Sequence, residues 1–95
     1  MAEATLPAFE FRRRGDDVVY RFEPEPGHEP PRWKRADLDL WCEFLPDRGW
    51  RIIDAAGTAT GWPEREERET KEPPSGPWIS EKGTRSYVYD LVYLD

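Results

Sequence analysis

The last eleven residues, Arg-Ser-Tyr-Val-Tyr-Asp-Leu-Val-Tyr-Leu-Asp at positions 85–95, constrain the fold of this chain more than any other segment. In an extended backbone Tyr87, Tyr89, Leu91 and Tyr93 point one way, and Val88, Val92 and Leu94 point the other. A strand that is apolar on both faces lies inside a sheet or beneath a partner. The segment is therefore expected to be a core or interface element. If it lies at a sheet edge, its unpaired backbone could also accept a second copy, and a homodimer through residues 85–95 is expected on that condition.

Such a strand needs a core to pack on, and aliphatic residues are scarce. Leu, Ile, Val and Phe make up about 18% of the chain, below the roughly 20% at which a highly charged sequence tends to disorder. Five tryptophans and four tyrosines offset that shortage, because each aromatic side chain buries about 150–250 Å². Aromatic residues must supply much of the core. Every tryptophan is thus a core candidate before it is a ligand platform.

Alternation and turn chemistry suggest hairpins. Phe9, Phe11 and Arg13 alternate with Glu10 and Arg12, and Val18, Tyr20 and Phe22 share a face beyond the Gly15-Asp16 turn. Residues 23–35 are expected to form a Pro-rich loop, because four prolines and a glycine between positions 23 and 32 argue against helix and central strand. Residues 37–45 fit two periods. As a strand, Leu38, Leu40, Cys42 and Phe44 share a face; as a helix, Leu38, Trp41, Cys42 and Leu45 form a stripe. The turn residues Pro46-Asp47-Arg48-Gly49 favour the strand, with Trp41 and Trp50 flanking a central hairpin as core residues. Residues 63–77 are expected to form an acidic mobile loop. A last hairpin pairs Trp78-Ile79-Ser80 with residues 84–87 across Glu81-Lys82-Gly83. The expectation is one small, mainly β domain spanning residues 1–95. It is an antiparallel sheet of about five or six strands, strongly curled or closed as a small barrel, with at most one short helix.

The chemical motifs are sparse. His28, the only histidine, sits in the Pro-rich loop with no Ser or Cys nucleophile nearby in sequence. Cys42 is the only cysteine, which excludes an internal disulfide and a cysteine-based zinc site, and its alternation reads as a small buried hydrophobe. Asp37 and Asp39 could share a cation from one strand face, yet two carboxylates without further ligands do not make a site. Gly57-Thr58-Ala59-Thr60-Gly61 lacks the lysine and following helix of a phosphate loop. Pro74-Ser75-Gly76-Pro77 has P-x-x-P spacing but reads as a turn into Trp78. No catalytic residue, cofactor or metal is expected, and the protein is read as a non-enzyme.

Charge suggests partners. Residues 1–35 balance, and residues 36–95 carry the whole net charge of −6. Trp33, Trp62 and Trp78 adjoin Pro-rich segments, as lids on the core or exposed anchors. The leading functional expectation is a small acidic accessory subunit or inhibitor that binds and occludes another protein, one with a basic or nucleic-acid-binding surface. Its contact residues would be Trp62, Glu64, Glu66, Glu67, Glu69 and Glu72. The alternative is a small nucleic-acid-binding barrel in which Arg12, Arg13, Arg14, Arg32, Lys34 and Arg35 surround Trp33 as a stacking platform. Against it stands the reading that these cations pair with the protein's own carboxylates. No apolar run reaches membrane length, and the first residues lack the pattern of a signal peptide. A soluble cytoplasmic protein is expected.

Overall fold

Eight short segments carry the backbone pattern of antiparallel strands, and each pairs with the next in the chain. The computed structural model describes residues 6–65 and 72–94. Its strands are β1 (Phe9–Arg13), β2 (Val19–Pro24), β3 (Trp33–Arg35), β4 (Leu40–Leu45), β5 (Gly49–Asp54), β6 (Ala59–Pro63), β7 (Gly76–Lys82) and β8 (Arg85–Tyr93). The order in the sheet is the order in the chain, and β8 pairs with β1 to close a barrel. The expected small barrel is thus present, with two strands more than the upper expectation and no helix among the described residues.

The closing strand is the segment that most constrained the fold. β8 runs beside β7 from Lys82↔Arg85 to Gly76↔Leu91, and beside β1 from Arg13↔Tyr89 to Phe9↔Tyr93. Both of its backbone edges are occupied, so the free sheet edge on which self-association depended does not exist. Closure removes sheet edges altogether. Tyr89 and Leu91 point inward and are 2% exposed, whereas Val88 and Val92 lie half-buried on the outer face.

The same alternation fills the lumen. Phe9, Phe11, Phe22, Trp33, Cys42, Trp50, Ile52, Trp78, Tyr89 and Leu91 form one buried cluster. Trp33 faces Cys42 across β3 and β4, which sets the largest side chain opposite a small one. Residues 37–45 resolve as a turn followed by β4, not a helix, and the expected loop at 23–35 narrows to residues 25–32, because Glu23 and Pro24 end β2 and Trp33–Arg35 pair as β3. The β4–β5 connection is Pro46-Asp47-Arg48, and Gly49 takes the positive φ of 84° that such a turn demands. Gly61 of β6 allows close packing. A Cβ there would stand 3.1 Å from Ile52 Cγ1 and 3.2 Å from the Ile79 carbonyl oxygen.

Three expectations change in detail. Trp41 is not core: it pairs with Lys34 and Ile53 on the outer face, half-buried, because Cys42 takes the inward phase of β4. Asp37 and Asp39 lie in the turn before β4 and share no strand face. The last hairpin turns at Gly83-Thr84, so Trp78 opposes Tyr89 and Ser80 opposes Tyr87. The expected turn at Glu81-Lys82-Gly83 sets Ser80 opposite Thr84, a register three residues away from the observed one, and would have put the tyrosines of β8 on the face opposite Trp78.

Candidate functional site

Alternate connections lie at opposite ends of the barrel, and the two ends differ in chemistry. One end carries the β2–β3 loop, the β4–β5 turn, the β6–β7 connection and the chain's entry into β1. Aromatic rings fill it. Ring centroids lie 5.8 Å apart for Phe9 and Trp33, 5.9 Å for Trp33 and Trp50, and 5.5 Å for Phe44 and Trp50. Three polar tips there find backbone acceptors. Trp33 Nε1 donates to the Pro7 carbonyl at 2.8 Å, Trp78 Nε1 to that of Pro74 at 2.9 Å, and the Tyr93 hydroxyl to that of Pro73. Burial raises the Tyr93 pKa above the ordinary phenol value. These contacts seal the end.

The other end carries four connections, at residues 14–18, 36–39, 55–58 and 83–84. Here the inward positions change character. Arg35, Asp54, Thr60, Ser80 and Lys82 replace the apolar residues that occupy the lumen deeper down. They surround a cavity of about 340 Å³ whose floor and walls include Phe11, Phe22, Leu40, Ile52 and Tyr89. An eight-stranded barrel is wide enough either to be filled by its own side chains or to hold one small ligand. This barrel does the first at its sealed end and leaves space for the second at its mouth.

Arg35 dominates the electrostatics of the mouth. It is 6% exposed, the one charged residue in the buried set. Asp37 Oδ1 accepts from Arg35 Nε at 2.5 Å, and Asp37 Oδ2 accepts from Nη2 at 3.0 Å. The Arg35 guanidinium, through these bonds, holds the Asp37 carboxyl below its ordinary pKa. The face of the same guanidinium lies over the Tyr20 ring, 3.5 Å from its centroid, and Lys82 Nζ stands 5.5 Å from that centroid. A guanidinium has five N–H donors. Arg35 Nη1 has no acceptor among the described residues, and Arg35 borders the cavity. At the end of β5, Asp54 Oδ1 accepts from the backbone N–H groups of Ala56 and Thr58.

The basic clusters of the sequence divide among local carboxylates. Arg12 pairs with Glu10 at 2.9 Å, Arg13 with Asp16 at 2.8 Å and Arg14 with Asp90 at 2.8 Å. Arg32 pairs with Glu25 and lies 3.6 Å from Glu43, and Lys34 lies 3.5 Å from Asp39. Arg13 and Arg14 lower the pKa of Asp16 and Asp90 through these bonds. Trp33 is wholly buried between Phe9 and Trp50, so the stacking platform expected there is a core residue. Trp78 is also wholly buried and is therefore a core residue, not an anchor.

Of the acidic contact residues, Trp62 is half-buried on the outer face of β6, and Glu64 and Glu72 are exposed. Glu66, Glu67 and Glu69 lie outside the described residues. Trp62 stands in register with Ile79, and Ile79 with Val88, which makes an outer apolar row across β6, β7 and β8. His28 Nδ1 lies 2.6 Å from the Pro30 carbonyl within its own loop. Cys42 is fully buried, and burial pushes its thiol well above the ordinary pKa. The described residues hold no cluster of three or more metal-ligating side chains, and no helix among them is long and apolar enough to cross a membrane.

Sequence reasoning missed the mouth. Arg35 and Lys82 are far apart in the chain, and only the phase of their strands turns both inward. A signal was available: each sits two residues from an aromatic core residue, or at even spacing from one, as Arg35 does after Trp33 and Lys82 after Trp78. Comparison with known proteins finds no family model, no curated protein and no solved structure that matches the chain.

Proposed function

We propose that this protein is a non-catalytic binding protein that holds one small molecule in the open mouth of its barrel. One observation carries the reading: a cavity of about 340 Å³ opens at one end of a lumen whose other end is packed solid. That volume lies at the small end of the ~300–1,000 Å³ range of ligand pockets. Its walls combine apolar rings with a few polar groups, the pattern that grips a body and orients a head. A thermal-shift screen of a chemically diverse small-molecule library tests it. Compounds should raise the melting temperature of the native chain but not of Ser80→Trp, whose indole would occupy the cavity. A broad library without a hit that discriminates the two would overturn the reading.

A second reading keeps the outer surface as the working face. The row Trp62, Ile79 and Val88, beside Glu64 and the net charge of −6, suits an apolar anchor with acidic steering toward a basic protein partner. Replacing Glu64, Glu66, Glu67, Glu69 and Glu72 with Gln should then weaken capture of that partner at low salt. Unchanged capture would remove this reading.

A further inference from the structure

We infer that the mouth selects a small amphipathic carboxylate, with its head group at Arg35 and Lys82 and its apolar body on Phe11, Phe22, Leu40 and Ile52. The inference rests on the small-ligand reading above and adds the chemistry of the ligand.

The argument begins with the presence of a charge at a buried inward position. Filling a barrel end needs only apolar side chains, and burying a guanidinium is costly unless it is paired and hydrogen-bonded. Arg35 is nevertheless buried at 6% exposure on the cavity wall, and its pairing is incomplete. Asp37 engages Nε and Nη2 from the turn side. Nη1 retains its donors, and Arg is the side chain best shaped to receive a carboxylate with its planar fork.

A second cation stands in the same place. Lys82 has its Nζ 5.5 Å from the centroid of the Tyr20 ring that Arg35 covers at 3.5 Å. Tyr20 thus holds two cations together. Neither cation–π contact supplies a counter-charge, and Lys82 makes no ion pair among the described residues; the carboxylate that feels its charge, Asp37, is already bonded to Arg35. An anion entering the mouth would meet both. Two carboxylates also border the cavity, Asp54 and Glu81; one oxygen of Asp54 is committed to the backbone N–H groups of the β5–β6 turn.

The rest of the wall dictates the body of the ligand. Below the cations the cavity is lined by Phe11, Phe22, Leu40, Ile52 and Tyr89, with the Ser80 and Thr60 hydroxyls at its side. A fully polar anion such as inorganic phosphate would leave these rings uncovered. A flat aromatic or short aliphatic acid covers them.

Titration calorimetry with 2-naphthoate and its neutral counterpart 2-naphthylmethanol, at low and high salt, tests the assignment. The carboxylate should bind at least about tenfold more tightly than the alcohol, with the margin shrinking as salt rises. Lys82→Gln, at an exposed rim position, should cut the carboxylate's affinity several-fold and leave the alcohol unchanged. Arg35→Gln should abolish the preference; if that variant does not fold, Lys82→Gln alone decides. Equal binding of the two compounds, or a Lys82→Gln variant that keeps the full preference, overturns the carboxylate assignment while the cavity reading stands. Binding of neither compound, together with no hit in the library screen, overturns both.

Discussion

The sealed end and the open end of the barrel are built from the same eight strands, yet they solve opposite problems. At the sealed end, inward positions carry Phe9, Trp33, Trp50 and Trp78, and the polar atoms of Trp33, Trp78 and Tyr93 are satisfied by backbone carbonyls. Ring area and these hydrogen bonds make this end a stability element. At the open end, inward positions carry Arg35, Ser80, Lys82 and Asp54 around unfilled space. A buried charge and an open volume both reduce what burial could contribute to folding. The difference teaches that stability is concentrated at one end, which lets the other retain chemistry that packing alone would not favour.

The largest test of that contrast is truncation. Trp33→Ala or Trp78→Ala should cost about 3–5 kcal/mol in urea unfolding, the range for removing a buried aromatic side chain. Leu40→Ala, which widens space already open, should cost less than about 2 kcal/mol. Equal losses at the two ends would break the comparison.

The buried charge comes next. Asp37→Asn leaves Arg35 without its counter-charge and should cost roughly 1–2 kcal/mol, below the full cost of breaking a buried pair because Asp37 is 60% exposed. Arg35→Met keeps an apolar stem at that position and should be neutral or stabilising while ligand preference is lost. A strongly destabilised Arg35→Met variant would make Arg35 a stability element and erase the distinction between the ends.

Smaller effects sharpen the picture. Gly61→Ala pushes a methyl to 3.1 Å from Ile52 and 3.2 Å from the Ile79 carbonyl, so β6 must shift, at about 1–2 kcal/mol. Acid should have the mildest effect. Asp16, Asp37 and Asp90 have folded pKa values lowered from 3.8 by Arg13, Arg35 and Arg14. Below that value the unfolded chain binds more protons than the folded one, so their stabilisation, present above pH ~4, is lost as pH falls through the folded values. All three are solvent-exposed and the effect is small. Amide protection factors, taken relative to the intrinsic exchange rate at each pH from 6 to 2, should fall first in the β1–β2 and β3–β4 turns at the mouth. Earlier loosening at the sealed end would contradict the contrast.

Much of this architecture is legible in the linear chain. The β1–β2 and β4–β5 hairpins follow from period-two alternation around turn residues, and the aromatic lumen follows from a shortage of aliphatic residues. Two strands were not legible. β3 is three residues between a Pro-rich loop and a turn, and β6 is a run of small residues ending in Trp62-Pro63. Neither has enough apolar alternation of its own to announce a strand, and each exists because neighbouring ladders offer it partners. The tryptophans divide for the same reason. Trp33 reads as a loop residue, but β3 turns it inward opposite Cys42, while that phase turns Trp41 outward against Lys34.

The candidate site was hardly legible at all. Arg32-Trp33-Lys34-Arg35 looks like one basic patch in the chain, yet strand alternation sends Trp33 and Arg35 inward and Lys34 outward. Arg35 then covers the Tyr20 ring of neighbouring β2, and Lys82, from a strand distant in sequence, stands over the same ring. Local chemistry governs what is short-range here: alternation, turns, and the two apolar faces of residues 85–95. The closure of β8 on β1, the register of β7 against β8 and the position of the cavity depend on long-range pairing. A register shift of one residue inverts every side chain of a strand, so only the assembled barrel decides which residues face a ligand.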